Sequence, residues 1–355
     1  MVHANINNAY TLPAKFYFSQ NYFDEMREQI FNRSWNFLGP FDDPSHNVKP
    51  VDLLPEFLSE PLLLAKDRAG AVRCLSNVCT HRGNLVVEEA GTVPLLRCRY
   101  HGRCFGHDGE FRSMPGFEDV EGFPTKEDNL HQLNMRSLGP MHFAQMREGK
   151  SFDDVFGPML DDMAWVPYGK LTFRPDASRD YYVDAHWALY CDNYLEGFHV
   201  PYVHPGLNEV LDVDEYTVEL YPKSSLQIGV ADDNEDVELL PIPVDHRLGG
   251  KRIYAMYWWV FPNLMFNFYP WGISFNCVEP ISINKTRIRF LSFAYENLPD
   301  PDVTSIHQTE IEDEVVVESV QKGLRSSFYT RGRFSPKHEK AVHHFHRMLS
   351  TILNV

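Results

Sequence analysis

The chain has 355 residues, enough for one large domain or two ordinary ones that each bury a core of their own. It carries 49 acidic and 33 basic residues, a net charge of −16, and no block rich in lysine or arginine. This argues against nucleic acid or anionic lipid as a partner, because both favour clustered positive charge. No run approaches the roughly eighteen apolar residues of a membrane span. The N-terminal segment shows no export or transit signal, so we expect a cytoplasmic protein.

The first 140 residues predict one helix followed by short strands. Residues 19–35 predict the helix, with Phe23, Met26 and Ile30 on one face. From about residue 38 to 138 the pattern changes to short apolar runs broken by Gly, Pro and Asp. The runs at 61–65, 72–78 and 95–99 are examples. This part of the chain is therefore predicted to be a small all-β region.

The remainder mixes helices with longer strands. Residues 185–199 predict a helix that leads into the proline-punctuated segment VPYVHPGLN. Residues 215–296 contain long strand-like runs, and a long helix is predicted from about residue 302 to 326. We therefore predict an α+β fold class with three parts. These are an N-terminal helical segment packing on the larger domain (1–37), a small all-β domain (38–150) and a larger α+β domain with an antiparallel sheet (151–355).

Two turns in the all-β region each combine one cysteine with one histidine. They are Cys79-Thr-His81 and Cys98-Arg-Tyr-His101, separated by sixteen residues. A Rieske [2Fe–2S] cluster needs two Cys on one iron and two His on the other, which two such turns can supply. The alternative is a structural zinc site. Zinc fingers, however, usually pair Cys with Cys on one turn and His with His on the other, so the pattern favours the cluster.

A second candidate metal site lies in NYLEGFHVPYVHPGL, which contains Glu196, His199 and His204. Two histidines five residues apart do not share a face of a regular helix. We expect Pro201 to break the helix just after His199, so that both rings can converge. Two histidines and one carboxylate form the ligand set of non-haem Fe(II) enzymes that activate O₂. The carboxylate remains to be found elsewhere in the chain.

The C-terminal helix offers two candidates for that carboxylate. Its predicted stripe consists of Ile306, Glu310, Asp313, Val317, Val320 and Leu324. Two acids on an otherwise apolar stripe indicate pairing or metal ligation, because an unpaired buried charge is costly. Asp313 and Glu310 are therefore both candidate ligands, whereas Glu312 and Glu314 are expected to be solvated.

At this point a family resemblance can be stated. NVCTHRGN with RCRYHG resembles the Rieske motif of ring-hydroxylating oxygenase large subunits. EDEVVVESVQKGL resembles the stretch that carries the third iron ligand in that family, and this selects Asp313 over Glu310. The resemblance implies a [2Fe–2S] cluster, a mononuclear Fe(II) and a catalytic domain of the helix-grip type. One departure is Arg103, where the family usually has Trp.

The resemblance also implies roles for two residues near the histidines. In the family, the residue at the position of Glu196 accepts a hydrogen bond from a Rieske histidine across a subunit boundary and orients the first iron-bound histidine. Most members have Asp there. Asn193, one turn earlier, is a candidate amide near the iron, and the alternative is an ordinary polar residue inside a helix. The chain as a whole resembles the branch of choline monooxygenase and the glycine-betaine or carnitine oxygenases.

An aromatic run between residues 254 and 275 is the candidate substrate wall. Strand alternation would send about half of its side chains to one face, and core packing is the ordinary explanation for any single one. The family resemblance makes this strand pair a wall of the pocket, where rings could hold a planar substrate or a quaternary ammonium group. The residues are Tyr254, Tyr257, Trp258, Trp259, Phe261, Phe266, Phe268, Tyr269, Trp271 and Phe275.

Together these features predict an oxidoreductase, the terminal oxygenase of a multicomponent system. It would use O₂ as a mono- or dioxygenase to hydroxylate or N-demethylate a small organic substrate, either a quaternary ammonium or an aromatic compound. Electrons from NAD(P)H would come through a separate flavin and iron–sulfur reductase or a ferredoxin, because the chain has no dinucleotide fingerprint and no second cluster motif. The resemblance implies a homotrimer. A Rieske electron carrier without oxygenase activity and a zinc-stabilised binding module are the alternatives.

Two groups outside these motifs carry weaker expectations. Cys74 and Cys104 are expected to be free thiols in the β core. His343, His344 and His346 near the C-terminus have no spacing that suits a metal, and we expect them on the surface of a helix.

Overall fold

The computed structural model describes residues 1–210, 215–233, 236–296 and 303–355. These residues form two compact units, one joining Met1–Phe31 to Lys150–Val355 and the other spanning Asn32–Gly149. No helix in the described ranges has both the length and the apolar character needed to cross a membrane.

The smaller unit consists of three antiparallel sheets of three strands each, with the orders β1-β9-β8, β2-β3-β4 and β5-β6-β7. Its core contains Leu63, Leu75 and Phe105 and also the two motif cysteines, Cys79 and Cys98. The cysteines are thus buried by the same packing that stabilises the unit. The strands are β1 (Trp35–Pro40), β2 (Val48–Leu53), β3 (Glu60–Lys66), β4 (Val72–Ser76), β5 (Leu96–Arg97), β6 (Cys104–Phe105), β7 (Phe111–Ser113), β8 (Asn134–Leu138) and β9 (Met141–Gln145).

The larger unit is built on a seven-stranded antiparallel sheet of order β10-β16-β15-β14-β13-β12-β11. From β13 to β16 each strand pairs with the next along the chain, as expected when short turns connect antiparallel strands. The strands are β10 (Leu171–Val183), β11 (Thr217–Tyr221), β12 (Ser224–Val230), β13 (Ile253–Val260), β14 (Leu264–Tyr269), β15 (Gly272–Ser282) and β16 (Lys285–Tyr295).

The α-helices of the described chain all belong to the larger unit, and the α+β prediction is confirmed by the sheet and helices together. They are α1 (Gln20–Gln29), α2 (Phe152–Asp162), α3 (Trp187–Tyr194), α4 (Val200–Val203), α5 (Pro205–Val210), α6 (Val303–Gly323) and α7 (Lys340–Leu353).

The helix predicted over residues 19–35 is too long. The buried face formed by Phe23, Met26 and Ile30 is present, but α1 ends at Gln29 and a strand begins at Trp35. The aromatic and apolar residues after Gln29 continue a helical pattern, yet they are buried as a short turn and a strand instead. Tertiary packing therefore overrides the local pattern.

The helix predicted over residues 185–199 is also wrong in its C-terminal half. Helix α3 ends at Tyr194, before Glu196 and His199. Pro201 does not break a helix after His199 but lies in the first turn of the short helix α4, with His199 at its N-cap. Proline is well tolerated at that position because its missing N–H would have no partner within the helix.

The long C-terminal helix is present as α6, and its predicted stripe is partly confirmed. Glu310, Val317 and Leu324 are buried, whereas Val320 is 43% exposed. The predicted start at residue 302 and the Ile306 side chain lie outside the described part of the structure. The helix ends at Gly323 rather than at residue 326.

Both faces of the large sheet are covered. Phe266 contacts Phe156 of α2 on one face, and Trp259 contacts Phe345 of α7 on the other. Strand register places Tyr257 opposite Asn267, and Asn267 opposite Ser274, on the same face as Trp259. Polar side chains therefore lie on the α7 side of a sheet whose other residues are mostly apolar.

The histidines of α7 are not surface residues, contrary to the expectation from sequence. His346 is 2% exposed, and its Nε2 lies 2.8 Å from a carboxylate oxygen of Asp192. Its Nδ1 accepts a hydrogen bond from the Leu12 backbone N–H. His343 is also buried, and His344 is largely buried with its Nε2 2.7 Å from the Tyr221 carbonyl oxygen. These rings connect α7 to its neighbours.

Candidate metal centres and substrate cavity

The two cysteine–histidine turns adopt the same backbone arrangement. The Cys79 N–H donates to the Asn84 carbonyl, and the Gly83 N–H donates to the Cys79 carbonyl. In the second turn the Cys98 N–H donates to the Arg103 carbonyl, and the Gly102 N–H donates to the Cys98 carbonyl. The two glycines have φ angles of 74° and 77°, a left-handed conformation that glycine adopts at no steric cost. The backbone alone thus presents two matched loops.

These loops place like ligands together. Cys79 and Cys98 are each 2% exposed, and their thiols lie within hydrogen-bonding contact of one another. Burial and the neighbouring Cys98 thiol raise the pKa of Cys79, although a hydrogen bond from the His81 backbone opposes them. The His81 and His101 rings lie side by side with centroids 4.7 Å apart. A pair of buried sulfurs beside a pair of partly exposed imidazoles is the arrangement that a Rieske cluster needs.

Arg103 lies beneath the cluster loops rather than in solvent. It is 2% exposed, and its guanidinium donates to the Thr80 hydroxyl at 2.7 Å and to Asp128 at 3.3 Å. Phenylalanine rings surround it at 5.2–5.7 Å, a distance at which a cation is attracted to an aromatic face. Thr80 lies between Cys79 and His81 in the first turn. The hydrogen bond from Arg103 therefore connects the first turn to the second turn, where Arg103 itself lies. The three rings belong to Phe111, Phe117 and Phe123.

In the larger unit, three predicted ligands come together. Donor atoms of His199, His204 and Asp313 all lie within 4.8 Å of one another. The Nε2 atoms of His199 and His204 are 3.5 and 3.0 Å from Asp313 Oδ1. Glu310, the fallback ligand, is not a member of this group. Two imidazoles and one carboxylate converging on one point form the facial set that binds Fe(II) and leaves positions open.

Each histidine of this group is held on its far side by a second carboxylate. His199 Nδ1 lies 2.6 Å from Glu196 Oε1, and His204 Nδ1 lies 2.8 Å from Glu312 Oε2. Such partners fix the tautomer, so that Nε2 of each ring would be free to bind a metal. Glu312 is therefore not the solvated residue that the sequence suggested. The sequence shows only a group of acids on the C-terminal helix. It contains no signal that one of them, Glu312, contacts His204, 108 residues earlier in the chain.

The electrostatics of the three residues favour a bound cation. Burial disfavours charge on His199, but hydrogen bonds with Asp313 and Glu196 outweigh it and raise its pKa to about 9. Burial likewise opposes ionisation of Asp313, yet the same two histidines lower its pKa below the ordinary value. The site therefore concentrates negative charge around two imidazole nitrogens. A divalent cation would satisfy this charge better than protons on the rings.

Glu196 and Asn193 both contact this group. Glu196 accepts hydrogen bonds from the backbone N–H groups of Phe198 and His199 in addition to its contact with the His199 ring. Asn193, in the last turn of α3, donates to Asp313 Oδ1 at 2.5 Å. The loop after α3 brings Glu196 to His199, although no regular helix joins them.

A cavity of about 250 Å³ lies beside the three ligands. Four of the ten predicted wall aromatics line it, and the remaining six pack into the core, with Trp258 and Phe266 fully buried. Tyr257 and Tyr269 meet edge to face, and Trp271 stacks on Tyr269. The four wall aromatics are Tyr254, Tyr257, Tyr269 and Trp271.

Sequence reasoning missed the polar part of this lining. Gln227, Asn267, Ser274 and Asn276 project from adjacent strands on the cavity side of the sheet. The Tyr194 hydroxyl donates to Asn267 Oδ1 at 2.8 Å. A signal was present, because Asn267 in LMFNFY and Asn276 in ISFNC interrupt otherwise apolar strands, and buried amides need partners.

Comparison with known families agrees with both metal sites. The model of the Rieske [2Fe–2S] domain matches residues 43–124. The model of the ring hydroxylating alpha subunit (catalytic domain) matches residues 171–354, slightly more than half of the 355 residues. The chain therefore belongs to the ring-hydroxylating oxygenase alpha-subunit family, the Rieske non-haem iron oxygenases.

Relatives of known activity cover almost the whole chain. Choline monooxygenase from Arabidopsis thaliana is 27% identical, over 97% of this chain and 83% of its own length. The oxygenase subunit of carnitine monooxygenase from Escherichia coli K12 is 28% identical, over 98% of this chain and 95% of its own length.

Solved structures show the same fold. The quaternary ammonium Rieske monooxygenase CntA superposes with a TM-score of 0.79 at 21% identity, over 100% of this chain and 99% of its own. Naphthalene 1,2-dioxygenase from Rhodococcus sp. gives 0.76 at 18% identity, over 97% and 94% of the two chains. The predicted combination of a Rieske domain with an antiparallel catalytic domain is thereby confirmed.

As a member of this family the protein is an oxygenase that uses a Rieske cluster and a mononuclear iron. The residues present fit both groups: paired thiols beside paired imidazoles in one unit, and an oriented His–His–Asp set in the other. When bound, the cluster supplies single electrons and the iron supplies a site for O₂ chemistry. Glu196 and Glu312 contact Nδ1 of the two imidazoles, which leaves Nε2 of each ring for a metal.

Proposed function

We propose that this protein is the terminal oxygenase of a multicomponent monooxygenase that hydroxylates or N-demethylates a small quaternary ammonium compound. One observation carries the proposal: the cavity beside His199, His204 and Asp313 is lined by aromatic rings and by acids, and no described residue of its lining is a lysine or arginine. An aromatic wall attracts a cationic ammonium group through cation–π contacts of about 0.5–2 kcal/mol each. The relatives named choline and carnitine monooxygenase support this substrate class.

The proposed roles of the residues follow the geometry. Cys79 and Cys98 would ligate one iron of the cluster, and His81 and His101 the other. In the catalytic unit His199, His204 and Asp313 would hold the mononuclear iron, with Asn193 fixing the Asp313 carboxylate. Residues 38–150 would form the domain that accepts electrons, and residues 1–37 with 151–355 the catalytic domain. Electrons would come from NAD(P)H through a separate flavin and iron–sulfur reductase or a ferredoxin.

The test is O₂ uptake with a generic reductase, measured across a panel of cholines, betaines, carnitines and aromatic acids, with product analysis by mass spectrometry. We expect turnover only with the ammonium compounds. Turnover of aromatic acids instead would contradict the substrate class. A count of about two Fe per chain rather than about three would favour the electron-carrier alternative, because the carrier lacks the mononuclear iron.

We further propose a homotrimer in which Glu196 links the cluster of one subunit to the iron of the next. The family resemblance suggests this, and the related CntA structure is described with inter-subunit electron transfer. Within one chain the Glu196 carboxylate contacts the His199 ring, and the Glu196 side chain is 14% exposed. The variant Glu196→Gln should keep both metals and the trimer but slow reoxidation of the reduced cluster. Wild-type rates in that variant, or full activity in a monomer, would contradict the link. The cytoplasmic location expected from the sequence stays a prediction.

A further inference from the structure

One acid in the cavity has no task in the site described so far. Glu310 lies one turn before Asp313 on α6, lines the same cavity and is 1% exposed. Its Oε2 accepts a hydrogen bond of 2.5 Å from the Tyr190 hydroxyl. Its Oε1 has no hydrogen-bond partner within the described ranges. Burying a carboxyl group costs free energy when one of its oxygens has no hydrogen-bond partner. Such groups are therefore often found where they bind a ligand or take part in a reaction.

The other two acids of the cavity are fully engaged. Glu196 binds the His199 ring and two backbone N–H groups. Asp313 binds both histidines and the Asn193 amide. Asp313 is assigned to the metal, and Glu196 to His199 and the proposed inter-subunit link, so neither is assigned to a substrate. Glu310 is therefore the one cavity carboxyl, among the described residues, that has no cationic or metal partner assigned to it.

No cationic side chain of the described cavity wall is left for Glu310, because His199 and His204 are already paired with other carboxylates. The lining contains no lysine or arginine, and the nearest charged neighbours, Asp313 and Glu314, are also acidic. Burial raises the pKa of Glu310 well above its usual range, the Tyr190 hydrogen bond opposes this, and the two acids reinforce it. A cation entering from solvent would supply the missing counter-charge.

From this arrangement we propose that Glu310 is the anionic anchor for the positively charged nitrogen of the substrate, and that it determines the preference for cations over neutral compounds of the same shape. The proposal rests on the proposed function, which it makes specific to one residue. Tyr257, Tyr269 and Trp271 surround the methyl groups, while Glu310 provides the full charge that aromatic faces lack. Tyr190 positions the carboxyl, because its hydroxyl holds Oε2 and leaves Oε1 without a hydrogen-bond partner among the described residues.

The experiment compares choline with 3,3-dimethylbutan-1-ol, in which an uncharged carbon replaces the ammonium nitrogen. Dissociation constants are measured by titration calorimetry on the iron-loaded protein without O₂. We expect the wild type to bind choline more tightly than the carbon analogue. Glu310→Gln, which keeps the shape, should weaken choline binding on the order of 10- to 100-fold and change binding of the carbon analogue less than about twofold.

Two further variants make the comparison decisive. Glu310→Asp keeps the charge one methylene further back and should retain part of the preference. Glu318→Gln removes the same charge from the same helix outside the cavity lining and should bind both ligands like the wild type. Iron content and the visible spectrum of each variant verify that the fold and both metals are retained.

The outcomes separate this proposal from the function on which it rests. If Glu310→Gln keeps the wild-type preference for choline, the aromatic rings alone provide it and Glu310 is not the anchor, while the substrate class stands. If the wild type binds choline no better than its carbon analogue, or binds neither, the anchor and the cationic substrate class both fail. The oxygenase assignment is judged separately by O₂ uptake and iron content.

Discussion

The residues of the cluster loops lie close together in sequence, whereas those of the iron site lie far apart. The four proposed cluster ligands lie within 23 residues, on two turns whose backbone hydrogen bonds match one another. The iron site joins a loop after α3 to a helix about 109 residues later, and side-chain hydrogen bonds orient its ligands. One site is formed mainly by local backbone conformation, and the other by tertiary packing.

This difference predicts that each site can be lost without the other. Asp313→Asn keeps the size of the side chain but removes the charge that opposes the two imidazoles. We expect loss of the mononuclear iron and of turnover, with iron falling from about three to about two per chain, while the cluster spectrum is unchanged.

Glu310→Gln is the control for Asp313→Asn, because it changes the neighbouring acid on the same helix and should retain about three Fe per chain. Retention of the mononuclear iron in Asp313→Asn, or its loss in Glu310→Gln, would show that the ligand is Glu310 instead.

A smaller effect is expected at the carboxylate behind His204. Glu312→Gln keeps a hydrogen-bonding group but loses the charge that fixes the imidazole, so the affinity for iron should fall about 10- to 100-fold. Competition with a chelator measures this. Glu314→Gln, two residues further along the helix and not bonded to His204, should behave like the wild type. Equal affinities in the two variants would mean that His204 is oriented by its packing alone.

In the cluster loops, the positions most sensitive to substitution are glycines with a left-handed backbone conformation. Gly83→Ala and Gly102→Ala each place a side chain in a left-handed conformation, at a cost of about 1–2 kcal/mol in the free energy of unfolding of the smaller unit. Space is not the cause, because an added Cβ meets nothing within 4 Å at Gly83 and only ordinary contacts at Gly102. Chemical denaturation measures the loss, and mononuclear iron content should not change.

Gly91→Ala is the matched control for both glycines, because Gly91 has no positive φ and equal open space. A loss of stability at Gly91 as large as at Gly83 would contradict the assignment to backbone conformation.

The last effect concerns acid stability of the larger unit. Burial lowers the pKa of His186 to about 3, whereas a histidine in the unfolded chain has a pKa of about 6.5. Between these values the unfolded state binds one more proton, so stability falls as pH falls, by about 1.4 kcal/mol per pH unit. His186→Asn, which can still accept the Ala188 N–H, should remove this slope between pH 6 and 4. An unchanged slope would mean that His186 does not contribute.

The features that could be predicted are those encoded locally. The strand pattern gave the all-β region and the long strands of the large sheet, and the spacing of Cys and His gave the cluster loops. Helix ends were harder, because the residues after Gln29 and Tyr194 continue a helical pattern whose end is decided by packing. Glu312 and His346 were missed for the same reason, since their partners lie more than 100 residues away. The polar side of the cavity becomes visible only once strand register is known.

Arg103 has a consequence for how this protein diverged from its relatives. A buried cation that loses its counter-ion typically costs about 3–5 kcal/mol, whereas replacing both partners together can be nearly neutral. Arg103 and Asp128, whose side chains lie 3.3 Å apart, are therefore expected to be retained or replaced together during evolution. Among homologues we expect the two positions to covary: those with Trp at 103 should lack an acid at 128, and lineages that gained Arg should have gained the acid first, because an exposed carboxylate is tolerated alone and a buried guanidinium is not.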